Sequence, residues 1–119
     1  MTECNVQGFW AVDNLKLCEE FTLGHRNVLK EHGYEHFKSN QTRWHNDTDT
    51  YVVLAKIGNK PVGGLRFVKK RKDFLVPLEE AILPLDDRIL EYMKSLLSLS
   101  PFEICGLWNS KDVGGMKLS

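Results

Sequence analysis

The sequence predicts an α+β fold, a mostly antiparallel sheet flanked by helices. Three observations carry this. YVVLAKI and PVGGLRFV are two β-branched, alternating runs separated by Gly58-Asn59-Lys60, the pattern of a β-hairpin. Two segments, beginning near Leu15 and near Asp86, repeat apolar residues at helical spacing. FEICGLW, residues 102–108, is a further short strand-like run.

Taken in order, residues 8–12, GFWAV, read as a first strand. Asp13 or Asn14 caps a helix over residues 15–32, with Leu15, Cys18, Phe21, His25, Val28 and Leu29 near one face. Gly33 ends it. Residues 35–49 are polar and read as a loop or short irregular helix. The hairpin follows, then the charged stretch KKRKDF. Pro77 and Pro84, each followed by acidic residues, resemble helix starts. Ile89, Leu90, Met93, Leu96 and Leu97 define an amphipathic helix stopped at Ser100-Pro101. The fourth strand then runs into a small glycine-bearing turn and Met116-Lys117-Leu118, which looks like the opening of a helix. Strand, glycine turn and helix start together form a common anion-holding arrangement.

With 119 residues, 42% hydrophobic and 27% charged, the chain is one domain's worth and large enough to bury a core without disulfides or metals. Its 16 basic and 16 acidic side chains cancel, which argues against a general nucleic-acid or polybasic membrane binder. No run approaches the length of a membrane span, and the N-terminus lacks a signal-peptide pattern. Cys4, Cys18 and Cys105 are an odd set without CxxC spacing, best read as reduced thiols in a cytoplasmic protein. His25, His32, His36 and His45 lack carboxylate or cysteine partners at ligand spacing, so no metal is expected.

On residue type alone, Glu103 is a solvated carboxylate at a strand edge, Asp47 and Asp49 cap a loop, and Arg66 faces solvent. Trp108 is a core or interface aromatic. Cys105 alternates with Glu103 and Leu107 on one face and reads as a buried structural thiol. The run from Lys69 to Lys72 reads as a solvated loop.

Four features give the chain a resemblance to a known family: HRNVLKEHGY closing the first helix, NDTDTY before the second strand, YVVLAKIGNKPVGGLRF across the hairpin, and EICGLWNSKDVGG at the end. In this order and spacing they resemble the N-terminal half of the GNAT acyltransferase superfamily, most closely its autoinducer-synthase-like branch. The resemblance covers residues 8–119, as a single partial domain at 1–119 truncated after the fourth strand. It implies acyl transfer from acetyl-CoA, a longer acyl-CoA or an acyl-carrier protein to a small amine.

In this reading Glu103 is the general base, and Arg26, Asp47, Asp49 and Arg66 gather around the acceptor. Leu107, Trp108 and Asn109 line the pantetheine arm, while Lys111, Val113, Gly114 and Gly115 form the pyrophosphate loop. Two positions depart from the family pattern. Gly106 stands where the family has an arginine, leaving the acidic cluster under-neutralised. Met116 stands where a small residue is usual. A truncated half also implies an uncovered strand edge, and hence a homo-oligomer or a complementing chain. The alternative function is a non-catalytic GNAT-like remnant acting in self-association or partner binding.

Overall fold

The computed structural model describes residues 3–33 and 42–111. They form an α+β arrangement around a four-stranded antiparallel sheet in the order β1-β2-β3-β4. The strands are β1 (Cys4–Trp10), β2 (Thr50–Ile57), β3 (Lys60–Lys69) and β4 (Phe102–Asn109). Between them lie helices α1 (Leu15–Glu31), α2 (Pro77–Ile82) and α3 (Arg88–Ser95). Short 3-10 turns sit at Ala11–Asp13, Arg43–Asn46 and Leu97–Leu99.

Local chemistry sets the boundaries. The Asn14 side chain accepts the Leu17 N–H at 3.1 Å and opens α1, so Asn14 rather than Asp13 is the cap. Pro77 opens α2, where Glu79 reaches back to the Val76 N–H at 3.1 Å. Gly58 leads a two-residue hairpin loop with φ +59°.

The sheet has two unlike faces. Val52, Leu54, Arg66, Val68, Cys105 and Trp108 point to one side, fixed by the pairs Val52–Arg66 and Arg66–Cys105. Phe21, Cys18 and Leu17 of α1 pack there with Val52, Leu54 and Trp108 in the main core. Met93 and Ile89 of α3 join Val68, Val76 and Cys105 in a second cluster on the same side. Among the described residues the helices thus cover one face.

Several expectations are corrected. β1 begins at Cys4 and ends at Trp10, because its partner β2 is long enough to pair as far as Ile57 with Cys4. Cys18, Phe21, His25 and Val28 are buried on the expected face of α1, but Leu15 is exposed, and Leu17, Thr22 and Gly24 are buried with them. Pro84 does not start a helix; a turn intervenes and α3 begins at Arg88. The stretch at 69–72 is only partly solvated. Lys70 is buried, its Nζ 2.7 Å from the Glu79 carboxylate and 2.8 Å from the Phe74 carbonyl. His36, Val113, Gly114, Gly115, Met116 and the helix start beyond it lie outside the described residues, as does most of the polar stretch before Thr42.

Candidate functional site

A cleft of about 750 Å³ opens on the helix-bearing face, between the sheet, the 3-10 turn at Arg43–Asn46 and α2. Its floor is Arg66 and Val68 of β3 with Cys105 and Gly106 of β4. Trp44, Phe74 and Pro77 line its walls, and the ion pair of Arg43 with Glu80 borders it.

Strand alternation aims Arg66 inward, and a bulge in β4 makes room for it. Between the pairs Arg66–Cys105 and Gly64–Trp108, Gly106 and Leu107 together oppose the single residue Leu65. Gly106 takes φ +64°, and a Cβ on it would stand 3.1 Å from Arg66 Nε. The guanidinium carbon lies 4.8 Å from the centroid of the Trp44 ring, a cation–π contact. Arg66 is 6% exposed. Among the described residues no carboxylate stands within 4.0 Å of its guanidinium. Burial draws Arg66 below its ordinary pKa, opposed by Cys105 and Glu103, yet an arginine keeps its charge throughout the physiological range. The floor of the cleft is therefore a desolvated cation with no carboxylate in direct contact among the described residues.

The acidic residues are engaged elsewhere. Asp47 accepts the Asp49 N–H at 3.1 Å and the Thr50 hydroxyl at 2.7 Å. Arg71 spans the pair, 3.0 Å from Asp47 and 3.1 Å from Asp49, with its guanidinium over the Phe74 ring. The under-neutralisation expected from Gly106 is thus absent: Arg71 supplies the positive charge from a different segment.

Glu103 is paired with Val68, two residues along β4 from Cys105, and so stands beside the cleft. Its Oε1 accepts the Leu78 N–H at 2.8 Å, tying β4 to the first turn of α2. Burial raises its pKa above the ordinary carboxylate value, against the Leu78 N–H and Arg66, which lower it. Burial also raises the Cys105 thiol, which keeps it protonated and unreactive at neutral pH.

Of the residues singled out from the sequence, Arg66 and Asp47 line the cleft and Asp49 adjoins through Arg71. Arg26 lies on the exposed side of α1 and does not line it. Leu107 is exposed, and Asn109 contacts the Ser110 carbonyl at 3.5 Å. Trp108 is a core residue, packed edge-on to Phe21 and stacked along His25. Its indole N–H has no acceptor among the described residues. Lys111 is exposed at the last described position.

Sequence reading missed Arg43, Trp44, Arg71 and the Lys70–Glu79 pair. One signal was present: the period of two through Arg66 and Val68 places Lys70 inward. Nothing comparable marks Arg71, since its aspartate partners are 22 and 24 positions away and no pattern links them.

Among the described residues no three His, Cys, Asp or Glu side chains are grouped to hold a metal ion, and no helix is long and apolar enough to cross a membrane. Cys4, Cys18 and Cys105 are free thiols. No family model, curated protein or solved structure matches this chain, so the site is read from its own geometry.

Proposed function

We propose that the cleft takes a small molecule by its carboxylate, held on Arg66, and that the reaction served there is acyl transfer from an acyl thioester to an amine of that molecule. The observation that carries the first half is the buried Arg66 guanidinium, open to the cleft and without a carboxylate partner among the described residues. A desolvated cation is stabilised by an anion of matching geometry, and a planar guanidinium matches a carboxylate through two parallel hydrogen bonds. The Trp44 ring and the Phe74 side chain give the remainder of such a ligand apolar walls.

The second half rests on the resemblance to the N-terminal half of a GNAT acyltransferase and on Glu103. A carboxylate with a raised pKa beside the cleft suits removal of a proton from the acceptor ammonium. The free amine then attacks the thioester carbonyl, a C–N bond forms, the C–S bond breaks, and the thiol leaves with a proton. Coenzyme A or an acyl-carrier protein is the donor. A second reading, a non-catalytic GNAT-like remnant acting in self-association or partner binding, is favoured by the sheet face that no described helix covers.

Titration calorimetry with a panel of amino acids and their carboxamides tests the anion site. Carboxylates bind and carboxamides do not; Arg66→Met abolishes the heat, and Arg66→Lys retains part of it. Equal response to both sets overturns the site. Mass spectrometry of the same panel incubated with acetyl-CoA and a longer acyl-CoA reads the chemistry. An N-acylated product that disappears in Glu103→Gln supports transfer, whereas carboxylate binding without any acylated product retires the enzyme reading alone.

A further inference from the structure

The face of the sheet away from the helices is apolar, and apart from the Ala55 end, which is buried, nothing among the described residues covers it. Strand register places Val6 and Trp10 of β1, Tyr51 of β2, Phe67 of β3, and Phe102 and Ile104 of β4 on it. Trp10 meets Tyr51 edge-on at 5.1 Å between centroids, and Phe67 meets Phe102 at 5.5 Å, so aromatic pairs occupy opposite margins of one surface. Val6 is 61% exposed, Trp10 49%, Phe102 60% and Ile104 56%. Along the four strands the only charged positions on this side are Lys60 and Lys69, at the two ends of β3.

We propose that this face is the interface between two copies of the chain, packed sheet on sheet about a twofold axis. Three considerations favour a second copy over a different occupant. First, area: the exposed side chains leave on the order of 500–700 Å² of apolar surface, at or beyond the upper end for the largest patch of a typical monomer. Two such faces together bury roughly 1,000–1,400 Å², which reaches the range of specific interfaces. Second, charge: the interior of the patch carries none, so apposing it with itself desolvates no ion and brings no like charges together. The formal net charge of +0 leaves no long-range repulsion between copies. Third, shape: a sheet face mates with another at about 10 Å separation, with strands near −30°, and aromatic side chains are enriched in such contacts.

Sedimentation and light scattering across the micromolar range give the test. The expected mass is twice 13.7 kDa. Of the three tryptophans, Trp44 and Trp108 are buried, so a blue shift of emission with rising concentration reports Trp10 entering the interface. Val6→Asp and Ile104→Asp place a charge on opposite margins of the face, at exposed positions where a folded monomer tolerates it. Each weakens dimerisation by about a hundredfold or more. A wild-type chain that stays monomeric overturns the proposal and gives the face to another protein chain or a lipid surface. A dimer that survives Val6→Asp but not Ile104→Asp is joined through the β4 edge instead. One that survives both has exchanged elements. Either outcome also overturns it.

Discussion

Arg66 occupies the space that a side chain at position 106 needs: its Nε lies 3.1 Å from where a Cβ there would stand. Gly106 is required twice over, by its left-handed φ of +64° and by the guanidinium beneath it. An arginine at this position could not take that conformation without strain. Asp47 and Asp49 draw their positive charge from Arg71. Gly106→Ala therefore strains the bulge by about 1–2 kcal/mol and displaces Arg66 as well. Thermal unfolding should drop by about 4 °C or more. Affinity for carboxylate ligands should fall with it. Gly106→Asn, which tolerates the left-handed region better, should unfold at a higher temperature than Gly106→Ala while still weakening the ligand.

Lys70 and Glu79 join the end of β3 to α2 through an ion pair that is almost wholly buried on both sides. Each partner makes a further hydrogen bond: Lys70 Nζ donates to the Phe74 carbonyl, and Glu79 accepts the Val76 N–H. Removing one partner leaves a buried charge alone, which costs about 3–5 kcal/mol. Lys70→Met and Glu79→Leu should each lose that much in urea unfolding. The double variant should recover much of the loss, because two apolar groups replace two compensated ions. A double variant as unstable as the sum of the singles would show that hydrogen bonding to Phe74 and Val76, rather than charge pairing, holds the junction.

The strands and the two longer helices were legible because their signals are local. The hairpin follows from alternation and a glycine turn, and α1 from Asn14 and its periodic face. Pro84 misled because a proline followed by acidic residues satisfies the N-terminal pattern whether or not a helix is hydrogen-bonded behind it. The site was legible only in part. Arg66, Asp47 and Asp49 were singled out, but their partners come from segments that no spacing rule connects. The open face was equally hidden. Val6, Trp10 and Phe102 look like core residues until register and helix placement show that nothing described covers them.

Gly24 lies in the middle of α1, where alanine has the higher helix propensity by about 1 kcal/mol. Packing reverses that preference. A Cβ at Gly24 would meet the Trp108 ring at 2.3 Å, and Trp108 is held by Phe21 and His25 on either side. Gly24→Ala should therefore destabilise the fold by about 1–3 kcal/mol, the usual range for an overfilled core. Chemical denaturation of the single variant measures it, and near-ultraviolet dichroism should show the Trp108 environment disturbed. A stabilised Gly24→Ala would mean that Trp108 moves aside freely.

His25 and His45 make the fold sensitive to acid. Both are buried, and burial is the leading reason that each has a pKa below the ordinary 6.5, with Arg66 adding repulsion to both. The Thr22 hydroxyl donates to the Cys18 carbonyl at 3.0 Å and lies 2.9 Å from His45 Nε2, which ties the imidazole to α1. Both rings are neutral in the fold, whereas in the unfolded chain they take up a proton near pH 6.5. Below that value the unfolded state binds more protons than the folded one, and stability falls with pH until the folded values are passed. Above it, the contribution is fully present. Glu103 acts in the opposite sense, because a raised folded pKa favours the fold most when the carboxyl is protonated, and that contribution is lost as pH rises through the folded value. Unfolding temperatures measured from about pH 7.5 to about pH 5.5 should therefore decline. His25→Phe, which keeps an aromatic ring against Trp108, should flatten the decline. Glu103→Gln should steepen it by removing the opposing group. A flat profile in the unaltered chain would place both imidazoles in contact with water and remove them from the core.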